Sequence, residues 1–202
     1  GALSPGDHVV VNYPCYQSLS EIPRALGCAV DPWPLRAEGG RWAFDADELG
    51  RLLRPRTRMV VLNAPHNPTG ALPAREEYRS IIEACRRAGA ILFCDEVYSG
   101  LEYGAGRALD PACEAYENGV SLNVLSKSWG LAGLRIGWLA TRRADLLDAA
   151  AEAKDYNSIC SSGPSELLAG VAVRNRAALV GRSRALIASH LALRDGFLAR
   201  RP

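Results

Sequence analysis

The sequence predicts an α/β domain built on a mainly parallel sheet, and three observations carry that expectation. Short β-branched and apolar runs alternate with segments whose apolar residues recur at helical spacing. Two of those runs, MVVLNAP at 59–65 and AILFCDE at 90–96, are apolar without alternation, as in strands covered on both faces. Polar residues also collect where the runs end, the edge at which parallel sheets hold their ligands.

PGDHVVVNYP, residues 5–14, is a turn dipeptide, a β-branched run and a closing proline, and reads as a strand. The serines of SLSEIPRALGCAV start a helical pattern that stops at Gly27. CAVDPWPL at 28–35 is a short strand broken by prolines, and DADELGRLL at 45–53 a short helix. After the strand at 59–65, PAREEYRSIIEACRRAGA is amphipathic, with Pro73 near its start and Gly89 at its end. Further strands are expected at 90–96, 119–126 and 135–141. From Asp145 the composition shifts towards Ala, Leu, Arg and Glu, with helical patterns at 145–154 and 164–195. This divides the chain into a domain over 1–144 and a helical connection over 145–202, without internal repeat or low-complexity linker.

Composition excludes several functional classes. Net charge is +2 and no Lys/Arg run stands out, so neither nucleic acid nor a membrane surface is an expected partner. No stretch approaches the roughly 20 apolar residues of a membrane span, and the first residues lack a signal-type pattern. Six cysteines are scattered without a CxxC pair, which argues against a zinc ribbon or redox dithiol. Cys85 and Cys94 fall in apolar patterns and read as small buried hydrophobes in a reducing compartment, so a cytoplasmic location is expected. His8, His66 and His190 form no metal-ligand pattern, and His66, beside Asn67, reads as structural at least as readily as functional.

The chemistry-bearing residues fall at strand ends. Asn67 follows the strand at 59–63, Asp95 closes the strand at 90–94, and Lys127 closes the strand at 119–125. One cleft thereby receives an amide, a carboxylate and an amine. Alone, the lysine would read as solvated and the aspartate as a turn residue. The glycines at 130, 133 and 137 match no GxGxxG pattern, and no glycine precedes Lys127 as a phosphate-binding P-loop requires. Trp33, Trp42, Trp129 and Trp138 read as packing residues.

Three strings, NAPHNPTG at 63–70, DEVYSGL at 95–101 and SKSWGLAGLRIGW at 126–138, occur together and in order. With them the chain resembles the fold type I aminotransferases, the class I and II branch of the enzymes that use pyridoxal 5′-phosphate (PLP). The resemblance implies a three-layer sandwich, the large domain of that fold. It implies that Lys127 forms a Schiff base with the PLP aldehyde and then moves the proton between Cα and the cofactor. Asp95 would pair with the pyridinium nitrogen and keep the ring electron-withdrawing. Tyr98 and Asn67 would hydrogen-bond the ring's phenolate oxygen. Arg135, eight residues after Lys127, would hold the phosphate, and Tyr16 would lie on the ring face.

The position three before the lysine, a Ser or Thr in the family, is Val124, so Ser126 is expected to replace it or Arg135 to carry more of the phosphate. Against that family the chain is expected to lack the N-terminal segment and most of the C-terminal small domain, with its substrate-carboxylate arginine. The resemblance further implies an amino acid substrate and a homodimer. KDYNSICSSGPSELLA at 154–169 is similar to enzymes of the capreomycidine synthase type, in which the same cofactor drives elimination and cyclisation, or oxidation, of arginine or hydroxyarginine. A competing expectation is a folded, catalytically silent module that serves binding or assembly.

Overall fold

The computed structural model describes residues 1–103 and 108–201. Six strands form one sheet in the order β2-β1-β5-β6-β7-β8: β1 His8–Tyr13, β2 Ala29–Pro34, β5 Thr57–Asn63, β6 Ile91–Asp95, β7 Gly119–Val124 and β8 Gly137–Thr141. Every neighbouring pair is parallel except β7 and β8. The fold is therefore α/β with a mainly parallel sheet, as the sequence predicts. Two strands, β3 Arg36–Glu38 and β4 Arg41–Ala43, make a separate hairpin. The helices are α1 Ser18–Ala25, α2 Ala46–Leu52, α3 Arg75–Ala88, α4 Ala112–Ala115, α5 Ala144–Asn157, α6 Gly163–Arg174 and α7 Arg176–Leu198.

Strand periodicity splits the core between the two faces of the sheet. Val10, Val60, Leu62, Leu92 and Cys94 point to one face, where Leu49 of α2 and Tyr78, Ile81, Ile82 and Cys85 of α3 cover them. Val9, Val11, Met59, Val61 and Ile91 point to the other, against Leu19 of α1 and Leu146 of α5. Helix, sheet and helix form the three layers. The second face is covered less completely and keeps an apolar groove of about 410 Å³. A third cluster sets Leu125 and Trp129 against Ala172 of α6 and Val180 of α7, so the C-terminal helices hold the loop that follows β7.

Cys85 and Cys94 are buried, and β2 takes its two prolines at the sheet edge, where no further ladder needs their missing N–H groups. Several details differ from the sequence reading. The last strand begins at Gly137, because Ala132–Leu134 form a 3-10 turn that ends with Arg135 in the left-handed region, φ 54° and ψ 39°. Helix 164–195 is two helices. Asn175 leaves helical geometry, and its side chain donates to the Val171 carbonyl at 2.8 Å, competing with the backbone ladder. The β3–β4 hairpin was not anticipated, although Gly39-Gly40 signals it: both have positive φ, as a two-residue hairpin turn demands. Nor was the short α4.

Candidate active site

Parallel pairing brings the carboxyl ends of β1, β5, β6 and β7 to one edge of the sheet. In that register Asn63 lies beside Asp95. An amide network ties the ends together. Asn12 Oδ1 accepts from the Asn63 backbone N–H at 3.0 Å, and Asn63 Nδ2 donates to the Asp95 carbonyl at 2.9 Å. Asn63 Oδ1 in turn accepts from the Asn67 backbone N–H at 2.6 Å. Asn12 and Asn63 are fully buried, so these bonds form in a low-dielectric interior where a lost partner is costly. The sequence reading missed both residues. The available signal was Asn63, a polar residue closing an otherwise apolar strand.

The NPTG turn that carries Asn67 is closed by backbone bonds from His66 N to Ala71 O and from Gly70 N to His66 O, both 2.8 Å. The buried His66 ring links this turn to the segment after β1. Its Nε2 lies 2.7 Å from the Pro14 carbonyl, and its Nδ1 lies 2.7 Å from Thr69 Oγ1. Nε2 therefore donates to the carbonyl, and in the neutral ring Nδ1 accepts from the Thr69 hydroxyl. Burial accordingly lowers its pKa below the ordinary 6.5, against the opposing pull of the Pro14 carbonyl. Tyr16 is two residues beyond that carbonyl, so His66 couples the position of the Tyr16 segment to that of Asn67.

Asp95 is 6% exposed and lines the apolar groove together with Tyr16 and Phe93. Its Oδ1 accepts from the Val97 N–H at 3.2 Å. Burial pushes its carboxyl above the ordinary 3.8, opposed by that N–H and by the charge of Lys127. The neighbouring Glu96 turns the other way and is consumed structurally: it accepts from the Ala112 N–H at 2.8 Å and from Ser121 Oγ at 2.7 Å.

Lys127 stands on the turn after β7, exposed, with Nζ 5.9 Å from the centroid of the Tyr98 ring. Its loop is fastened from both sides. Ser128, fully buried, donates to the Val97 carbonyl at 3.1 Å, while Leu125 N donates to Ile136 O and Gly130 N to Lys127 O, both at 3.0 Å. Ser128 is a third residue the sequence reading passed over, although it belongs to the SKS string. Gly130 has φ 70°, and a Cβ on Gly137 would come within 2.8 Å of Val124 Cγ1. These two glycines allow the chain to turn after Lys127 and β8 to approach β7. Arg135 then comes back towards the lysine loop, its guanidinium 3.5 Å from Ser126 Oγ and 3.1 Å from the Ala132 carbonyl.

The structure thus places Tyr16 with Asp95 in the groove, Lys127 beside Tyr98, and Arg135 beside Ser126. Asn67 and Tyr98 line a second cavity, about 580 Å³, whose wall includes Trp42, Glu102 and Tyr103. Neither cavity wall includes Lys127, Ser126 or Arg135. Trp33 and Trp129 pack in the core as expected, whereas Trp42 is 38% exposed on the cavity wall. Among the described residues, no group of three or more His, Cys, Asp or Glu is arranged to hold a metal ion, and no helix is long and apolar enough to cross a membrane.

The donor set fits PLP. A buried carboxylate whose Oδ2 carries no hydrogen bond among the described residues suits a protonated ring nitrogen. A phenol and an amide suit a phenolate, an amine suits an aldehyde, and a guanidinium beside a hydroxyl suits a phosphate.

The comparisons agree with this chemistry. The chain is 37% identical over 174 residues to capreomycidine synthase of Streptomyces vinaceus, covering 86% of this chain and 44% of the relative. It is 38% identical over 139 residues to an arginine–pyruvate transaminase of Pseudomonas aeruginosa, covering 68% of this chain and 35% of that one. A PLP-dependent aminotransferase from Streptococcus suis superposes with a TM-score of 0.92 at 34% identity, covering all of this chain and 52% of the other. The chain spans less than half the length of these two curated relatives. The family profile for aminotransferase class I and II matches residues 1–200. With strand order, motif order and donor set in agreement, the chain belongs to the class I and II aminotransferases, a family whose cofactor is pyridoxal phosphate.

Proposed function

We propose that the chain carries the cofactor-binding half of a PLP enzyme that acts on an amino acid in an aminotransferase-type reaction. The observation that carries this reading is the convergence of Asp95, Tyr98 and Lys127 at neighbouring strand ends, with the Lys127 amine close enough to bias the Asp95 carboxyl. Bound there, the cofactor supplies an electron-withdrawing ring that accepts negative charge from the substrate Cα. The chain's residues do the rest. Lys127 Nζ would hold the cofactor at its aldehyde carbon, the aldehyde oxygen leaving as water, and its amine would carry the proton at the substrate Cα. Asp95 would hold a proton on the ring nitrogen through a charge-assisted hydrogen bond. Tyr98 and Asn67 would donate hydrogen bonds to the phenolate oxygen. Arg135 and Ser126 bind the phosphate, and Tyr16 covers the ring face.

Residues 1–144 are read as part of the large domain, and 145–202 as the helical connection towards a smaller one. A homodimer and a cytoplasmic location are proposed on family grounds. A second reaction is also supported: the likeness to capreomycidine synthase favours arginine elimination and cyclisation on the same cofactor residues. The attachment is tested by borohydride reduction of the PLP-loaded chain followed by peptide mass spectrometry. The label is expected on Lys127 alone and absent from Lys127→Ala; a label also carried by Lys154, the chain's one other lysine, or no retained cofactor, refutes the reading and leaves the silent-module alternative.

A further inference from the structure

The 580 Å³ cavity beside Asn67 and Tyr98 has a wall that the cofactor roles do not use. Three aromatic rings, Trp42, Tyr98 and Tyr103, share it with the Glu102 carboxylate. Trp42 and Tyr103 are 38% and 54% exposed, so their surfaces are open to a ligand. Both Glu102 oxygens accept from the Gly100 N–H, at 3.1 and 3.0 Å, which orients the carboxylate. Among the described residues Glu102 makes no ion pair. The wall's one cation among the described residues, Arg41, is held by Glu77 at 2.7 Å. Among the described residues the cavity therefore presents one oriented negative charge with no paired cation, set among aromatic rings. A planar cation suits both features, because it stacks on an aromatic face while its N–H groups pair with a carboxylate.

We infer that this cavity receives the side chain of a guanidinium-bearing amino acid, with Glu102 as the specificity-determining residue. The inference rests on the amino-acid reading above and names the substrate class of that same site. Two relatives point the same way, since one is named for transamination of arginine and the other for synthesis of capreomycidine. Asn67 and Tyr98 belong to both the cofactor site and this cavity, which puts a substrate reaching from one to the other within a single cleft.

The test compares L-arginine with L-citrulline, a neutral analogue of nearly the same shape. Dissociation constants are measured by ligand-observed NMR on the 202-residue chain, with and without PLP. Arginine is expected to bind about tenfold more tightly than citrulline. Glu102→Gln keeps an acceptor for the Gly100 N–H and is expected to erase that ratio, whereas Glu102→Asp retains part of it. Equal binding of the two amino acids by the parent chain, or a ratio unchanged in Glu102→Gln, overturns the inference. Cofactor loading, followed by absorbance, is expected to be the same in Glu102→Gln and the parent. If no cofactor loads on the parent, the catalytic reading falls, while the titration without cofactor still decides the role of Glu102.

Discussion

Replacing Asn63 by Ala removes the centre of the amide network and is expected to destabilise the chain by about 2–3 kcal/mol. The side chain is 1% exposed and makes two hydrogen bonds, from the Asn67 N–H and to the Asp95 carbonyl. Each contributes roughly 1 kcal/mol net, and the Asn67 N–H left without its acceptor adds a comparable penalty. The Asp95 carbonyl keeps its bond from Ala64 N at 3.1 Å and adds none. Urea unfolding should show the loss as a lower midpoint at unchanged slope, and thermal unfolding as a fall of roughly 4–12 °C. Asn67→Ala is the control. Its bond to Asn63 uses the backbone N–H, so the substitution is expected to cost within about 0.5 kcal/mol while weakening cofactor retention. An Asn63→Ala protein as stable as the parent, or an equal loss in Asn67→Ala, would refute the account of how the strand ends are tied.

Arg135 occupies the left-handed region, which glycine enters more easily than arginine does. Arg135→Gly is therefore expected to change stability by less than about 1 kcal/mol in either direction while PLP affinity falls at least about tenfold. A large stability loss with cofactor affinity intact would remove the functional reason for an arginine there. His66 gives a pH signature. Its lowered pKa means that the neutral ring's contribution is fully present above the ordinary 6.5 and is lost as pH falls from there through the folded value. His66→Gln should remove this component, so the stability difference from the parent narrows on acidification in that window; a constant difference counts against the assignment.

Much of the fold was legible because it depends on local periodicity. The apolar runs at 59–65 and 90–96 have the pattern of strands covered on both faces, and Gly89 ends α3 in the left-handed conformation expected of a helix cap. The β3–β4 hairpin and the break at Asn175 were less legible. The strands are three residues long, too short for a period to register, and a single asparagine is a weak stop inside a strong helical pattern.

The sequence by itself determined the chemistry available at the strand ends: Asn67, Asp95, Tyr98, Lys127 and Arg135 stand in an order and spacing that single out one cofactor family. That information is one-dimensional and is carried by motifs, because each residue type is proposed to meet one group of the cofactor. Only the tertiary structure decided what holds those residues and what surrounds them. Asn12 and Asn63 are 51 residues apart and meet through sheet register. His66 reaches the Pro14 carbonyl across 52 residues, and Trp42 joins Glu102 and Tyr103 in one cavity wall because the hairpin folds over it. Such contacts are set by strand pairing and layer packing, which bring together side chains whose sequence separation carries no signal of their proximity.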